Sequence, residues 1–317
     1  MYKRQVGTWP VMNRSVRQEA ARISSKNMAA SGLTSTTDAS GNRDDLVAYQ
    51  DARREEELSF RVSFMPNGNS KVYTGLKEAG IGSGYGDEMI RIGAVKFAAD
   101  GSASERTMSM STPYEGKPDD YGILTMNQDE IYAAVDDAVA HDFRVGIHAN
   151  GDIAINMVLN AYEKVLKVNN GSNPRHRIEH CSLVNESLLN RIKATGVIPT
   201  PFYTYAYYHG NKWVDYGYEK MQNMFAHRSF LDAGIPVAPA SDFTPGPYEP
   251  MMAIQSMVTR KDVRGRVWGP DQRISVSEAM RICTVHGAYA SFEEDIKGSL
   301  EAGKLADFVI LEKDPHE

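Results

Sequence analysis

Four residues of types that bind or activate divalent metals each fall at the C-terminal part of a short strand-like run. Lys96 lies in "IRIGAVKFA" (90–98), His148 in "FRVGIHA" (143–149), His180 ends "RHRIEH" (175–180) and Asp242 ends "IPVAPASD" (235–242). Two imidazoles, a carboxylate and a lysine open to modification form a ligand set for a divalent metal that activates water. Each has a plainer reading when taken alone. A histidine at a strand end is more often a hydrogen-bonded structural residue, and a lysine there can sit solvated at a rim. Asp242, followed by "FTPGP", could simply start a turn. Their joint placement at one end of four separate runs favours the functional reading.

Such placement needs elements that align the four ends. Strand-like runs alternate with helical patterns, the signature of a parallel sheet with helical crossovers, and in a barrel of that kind the site lies at the C-terminal strand ends. Three further runs, 33–39, 59–65 and 197–202, bring the strand count to seven. Between them, Asn127 and Glu130 predict a capped helix whose apolar face is Ile131, Ala134, Val135, Ala138 and Val139. Ala154, Met157, Val158, Ala161 and Val165 define the same stripe on the next helix, and Ser275 with Glu278 predicts a capping box near the C-terminus. Seven strands are one short of a (β/α)8 barrel of ~250 residues. The expectation is that the first strand lies upstream of Met1, with "VRQEAARISSKNMAA" forming a helix ahead of the first visible strand.

Composition narrows the partners. The 317 residues are 42% hydrophobic and 24% charged, as in a folded globular protein, and the formal net charge is −6. An acidic balance argues against nucleic acid or an anionic membrane surface and favours a small-molecule substrate. Cys181 and Cys283 imply no disulfide framework and fit a reducing, cytoplasmic compartment. No apolar run approaches the ~20 residues of a membrane span, and the N-terminus has no signal-peptide core. "GIGSGYG" (80–86) lacks dinucleotide-loop spacing and reads as a loop. "PFYTYAYYHG" (201–210) could be core, substrate wall or an oligomer contact.

Five segments in order, "GAVKFAADGSASERT", "VGIHANGDIAI", "RHRIEHC", "PASDFTPGPYEPM" and "KGSLEAGKLADFVIL", resemble the YtcJ-like branch of the metal-dependent amidohydrolases, amidohydrolase family 3, from about residue 30 to the end. The resemblance implies an α/β (β/α)8 TIM barrel with a small β-sandwich, hydrolysing amide, urea or related C–N bonds. It makes Lys96 a carboxylated lysine bridging two metals, since an ammonium has no lone pair to offer. It makes His148 and His180 ligands of the more exposed metal. Asp242 would ligate the buried metal and serve as the catalytic general base, handing its proton to the leaving amine. The chain departs from the family in one respect: its eight histidines contain no HxH, the pair such enzymes carry on the first barrel strand.

The resulting expectation is an N-terminal helix remnant (1–30), a TIM-barrel domain lacking its first strand (31–295) and a C-terminal β-sandwich strand (296–317). The function expected is metal-dependent hydrolysis of a small molecule, with zinc or another divalent ion and impaired activity. A short hydrolase with one metal, or a non-catalytic small-molecule-binding barrel remnant, is the alternative. Assembly of identical copies is compatible with either.

Overall fold

In the computed structural model, residues 12–168 and 174–316 are described. Asn13 accepts a hydrogen bond from Val16 N and starts helix α1 (Arg14–Ala30), where the sequence predicts a helix ahead of the first strand. Strand β1 (Ser35–Gly41) follows, then α2 (Arg43–Arg54), β2 (Arg61–Pro66), α3 (Lys71–Glu78), β3 (Ile90–Ile92) and β4 (Val95–Ala98). The second half runs α4 (Gln128–Ala140), β5 (Val145–Ala149), α5 (Asp152–Val168), β6 (Arg177–His180), α6 (Glu186–Thr195) and β7 (Ile198–Thr200), before a helical C-terminal region.

All strand pairs are parallel. β1, β2 and β3 form one sheet and β4 to β7 a second. The run 90–98, expected as one strand, is two. Its first part pairs with β2 and its second with β5, and the switch falls at Gly93, where a Cβ would lie 2.6 Å from Ser63 Oγ. A parallel bridge between Asn67 and Lys96, with Gly68 N donating to Lys96 O at 2.8 Å, joins the two sheets.

The capping predictions hold. Asn127 with Glu130 and Ser275 with Glu278 both make reciprocal capping boxes. The face of α5 is also as predicted, with Ala154, Val158, Ala161 and Val165 buried against the sheet and Met157 packed partly against it. From this helix Tyr162 donates its hydroxyl toward Val145 O and Arg177 O, at 3.3 and 2.9 Å, tying β5 to β6 from behind.

Two strand expectations are corrected. Residues 235–242 make no ladder; they touch β7 through Ala238 N to Pro199 O (3.0 Å) and extend it by a single bridge between Phe202 and Ala240. Pro236 and Pro239 have no N–H to give, which limits the segment to isolated bonds. Nor do residues 296–316 form a strand. Phe308, Val309, Ile310 and Leu311 are exposed, and the segment is tied down by Arg61, whose guanidinium donates to both oxygens of Asp307 at 2.6 and 2.8 Å. Among the described residues no closed barrel forms, because β1 has β2 on one side and no strand on the other. "GIGSGYG" is a loop, as expected.

Candidate active site

At the C-terminal end of the strands a cavity of about 900 Å³ is lined by Lys96, His148, His180 and Asp242 together. Glu179, which sequence reasoning did not single out, lines it as well. The four predicted residues therefore share one cavity although they come from β4, β5, β6 and the segment after β7.

Lys96 is buried and makes no ion pair among the described residues. Burial pulls its amine down to about 8, against the upward pull of Glu179 and Asp242. A lysine so placed gives up its proton more readily than a solvated one, and the neutral amine is the form that can react with carbon dioxide.

His148 Nε2 lies 2.8 Å from Gly101 O and 2.9 Å from Asn150 Nδ2. A proton on Nε2 given to Gly101 leaves the Nδ1 lone pair free. Asn150 is held in turn by its side-chain oxygen, which accepts from Ser182 Oγ at 2.6 Å. Beneath it Asp100 accepts from the amides of Ser109, Asn150 and Gly151 at 2.9–3.0 Å. That tight fold explains Gly151 in the "HANGD" segment: a Cβ there would sit 1.7 Å from Ser109 O.

His180 ends β6 in the left-handed region at φ 74°, and Cys181 follows at φ 41°. The sharp turn brings its ring edge-on to His148, with centroids 4.6 Å apart. Its other face stacks on Phe202 at 4.3 Å, and Phe202 stacks on Tyr205 at 3.7 Å. Part of the aromatic segment is thus packing behind a histidine. His180 Nδ1 is buried with no hydrogen-bond partner, a costly condition for a ring nitrogen unless something else takes its lone pair. Burial first and Lys96 second lower this imidazole to about 3; burial, His180 and Lys96 keep His148 well below its ordinary value. Both rings are neutral, as metal ligands must be.

Asp242, at φ 55°, accepts from the Tyr205 hydroxyl through Oδ2 at 2.7 Å. Its second oxygen is not engaged by that bond. Glu179 is more tightly held: Arg177 donates to both its oxygens at 2.7 and 3.0 Å, and Thr200 Oγ1 adds a third donor at 2.8 Å. Burial alone would raise this carboxyl, but Arg177 and Lys96 outweigh it and hold it at about 2. The signal for it in the sequence was an Arg and a Glu two apart on a strand buried on both faces, a spacing that puts opposite charges on one face.

Among the described residues no three His, Cys, Asp or Glu side chains cluster closely enough to cage a metal. The donors that fit one are the two neutral imidazoles, one with a buried unpartnered nitrogen, with Lys96 as a third donor once carboxylated.

Known proteins resemble the chain along most of its length. It is 29% identical over 232 residues to the putative amidohydrolase YtcJ of Bacillus subtilis (strain 168), covering 71% of this chain and 43% of that protein. It is 29% identical over 230 residues to the N-substituted formamide deformylase of Arthrobacter pascens, covering 72% and 42%. The chain spans less than half the length of these curated relatives. A solved, uncharacterized metal-dependent hydrolase of Pyrococcus furiosus superposes over 99% of this chain and 64% of its own, with a TM-score of 0.86 and 26% identity. The family model described as the amidohydrolase family matches residues 9–317, nearly the whole chain, and the chain therefore belongs to the amidohydrolase family.

Proposed function

We propose that the chain carries part of a metal-dependent hydrolase acting on a C–N bond, amide, urea or related, of a small molecule. The observation that carries this reading is the shared cavity of Lys96, His148, His180 and Asp242, with a buried, unpartnered nitrogen on His180. In this reading residues 31–295 are a TIM barrel lacking its first strand, a reading supported by the edge of β1 that has no strand beside it among the described residues.

His148, His180 and carboxylated Lys96 are the residues that would hold a divalent ion such as zinc, and Asp242 lines the same cavity. When bound, that ion supplies a Lewis acid for the scissile carbonyl and lowers the pKa of water. The chain's own residues do the rest. Tyr205 fixes one oxygen of Asp242 and leaves the other to take a proton from water and return it to the leaving nitrogen. Arg177 and Thr200 occupy both oxygens of Glu179, so it serves as a fixed charge and not as a base. Gly101 O orients His148 by accepting from Nε2, and Asn150 Nδ2 donates to the same oxygen. Without an HxH the second metal position has few donors, so turnover by this chain alone is low. The unpaired thiols of Cys181 and Cys283 support a reducing cytoplasm as the working compartment.

Metal analysis tests this directly. Protein prepared with zinc and bicarbonate is expected to hold close to one metal per chain, falling in His148→Ala and His180→Ala. Equal metal in all three proteins removes the assignment of His148 and His180 as ligands, and no metal in the wild type favours a metal-free binding barrel.

A further inference from the structure

A second cavity of about 320 Å³ opens at the opposite, N-terminal end of the strands, lined among others by Ser63, Arg91, Arg144 and Phe292. Four arginines gather near this end, and two are already paired with acids. Arg175 pairs with Glu294 at 2.7 Å, and Arg177 with Glu179. Arg91 and Arg144 form no ion pair among the described residues, although both line the cavity. Arg91 Nε is buried without a hydrogen-bond partner. Arg144 gives Nε and Nη2 to the carbonyl oxygens of Pro174 and Arg175 at 2.9 and 2.5 Å and rests its guanidinium on Phe292, 4.4 Å from the ring centre. Carbonyl oxygens carry no net charge, and although Glu179 pulls Arg144 upward, burial, with Arg177 and Arg175 adding to it, outweighs that and lowers it to about 9. The acid in the lining, Asp142, is exposed to solvent and pairs with neither arginine.

Buried cations are costly unless paired, and guanidinium forks match the spacing of oxyanion oxygens. We propose that this cavity binds a phosphate-type oxyanion, free or carried on a small molecule, between Arg91 and Arg144. Ser63 stands in the same wall as a hydroxyl donor. The site is separate from the cavity of Lys96 and His148, and ligand binding there stabilises the fold from the opposite end of the strands.

Isothermal titration and thermal unfolding of the full chain with inorganic phosphate, against chloride at equal ionic strength, test it. The expected result is saturable binding of one phosphate per chain and a rise in Tm that chloride does not give. Arg91→Gln is expected to weaken binding roughly tenfold with an unchanged circular dichroism spectrum. Because Arg144→Gln removes donors that hold two backbone carbonyls, Ser63→Ala provides the second variant, with a smaller loss of affinity. Glycerol phosphate binding tighter than phosphate assigns the ligand as an ester, and weaker binding assigns it as the free ion; each supports the site. Phosphate behaving like chloride, or Arg91→Gln binding as wild type does, overturns it.

Discussion

Gly146 on β5 stands directly against Glu179 on β6: a Cβ at residue 146 would lie 2.8 Å from Glu179 Oε1 and 2.5 Å from Met65 Cε. The buried acid therefore occupies the space that any larger residue at 146 would need. Gly146→Ala is expected to destabilise the fold by about 1–3 kcal/mol through overpacking. Urea unfolding midpoints check this, and an unchanged midpoint would show that the strand pair yields at no cost.

The Arg177 and Glu179 pair is buried on both sides, at 7% and 5% side-chain exposure, so its loss leaves a charge without a partner. Glu179→Gln is expected to cost about 3 kcal/mol or more. Thr200→Val removes one donor to the same carboxylate and should cost about 1 kcal/mol. Chemical denaturation of the two variants gives the ranking; equal losses would contradict it.

Asp38 on β1 gives a pH signature of its own. Burial, with Asp45 adding to it, raises its carboxyl to about 6 from the ordinary 3.8, while a hydrogen bond from Tyr49 works the other way. The folded state thus holds this proton more tightly than the unfolded chain. Its stabilising contribution is complete below about 3.8 and is lost as pH rises through about 6. Relative to Asp38→Asn, the wild type should lose stability between pH 4 and pH 6 and stay level above that. Unfolding midpoints measured across that window test it, and a constant difference would refute it.

The free edge of β1 predicts association. Among the described residues, Ser35–Gly41 pairs with β2 alone, and it holds no basic residue of its own. Open edges recruit strands from other chains. Sedimentation at several concentrations is expected to show concentration-dependent assembly, reduced in Thr37→Lys. A monomer at every concentration would mean that the edge is otherwise covered.

Much of this was legible in the residues. The capping boxes at Asn127 and Ser275 rest on local side-chain chemistry, which tertiary context does not disturb. Lys96, His148, His180 and Asp242 could be placed because strand ends converge in a parallel fold. Residues 235–242 read as a strand from their apolar pattern, but Pro236 and Pro239 withhold the N–H groups that a ladder needs. The tail at 308–311 has β-forming residues yet, among the described residues, pairs with no strand, and strand propensity is realised only through pairing. Glu179 was marked in the sequence only by Arg177 two residues earlier; the room it fills belongs to the neighbouring strand, at Gly146, and residues far apart in sequence do not announce such complementarity.

His180, Phe202, Tyr205 and Asp242 form an unbroken line of ring stacking and hydrogen bonding. A chain of contacts of this kind acts as a lever arm: a smaller side chain at 202 lets the histidine drift and frees the tyrosine that anchors the aspartate. Evolution, or a protein engineer reshaping this wall for a bulkier ligand, therefore has no way to retune one of the two without moving the other. Specificity changes are cheaper to acquire on the opposite rim of the cavity, around Asn67 and Thr125, where side chains reach the opening without belonging to that relay.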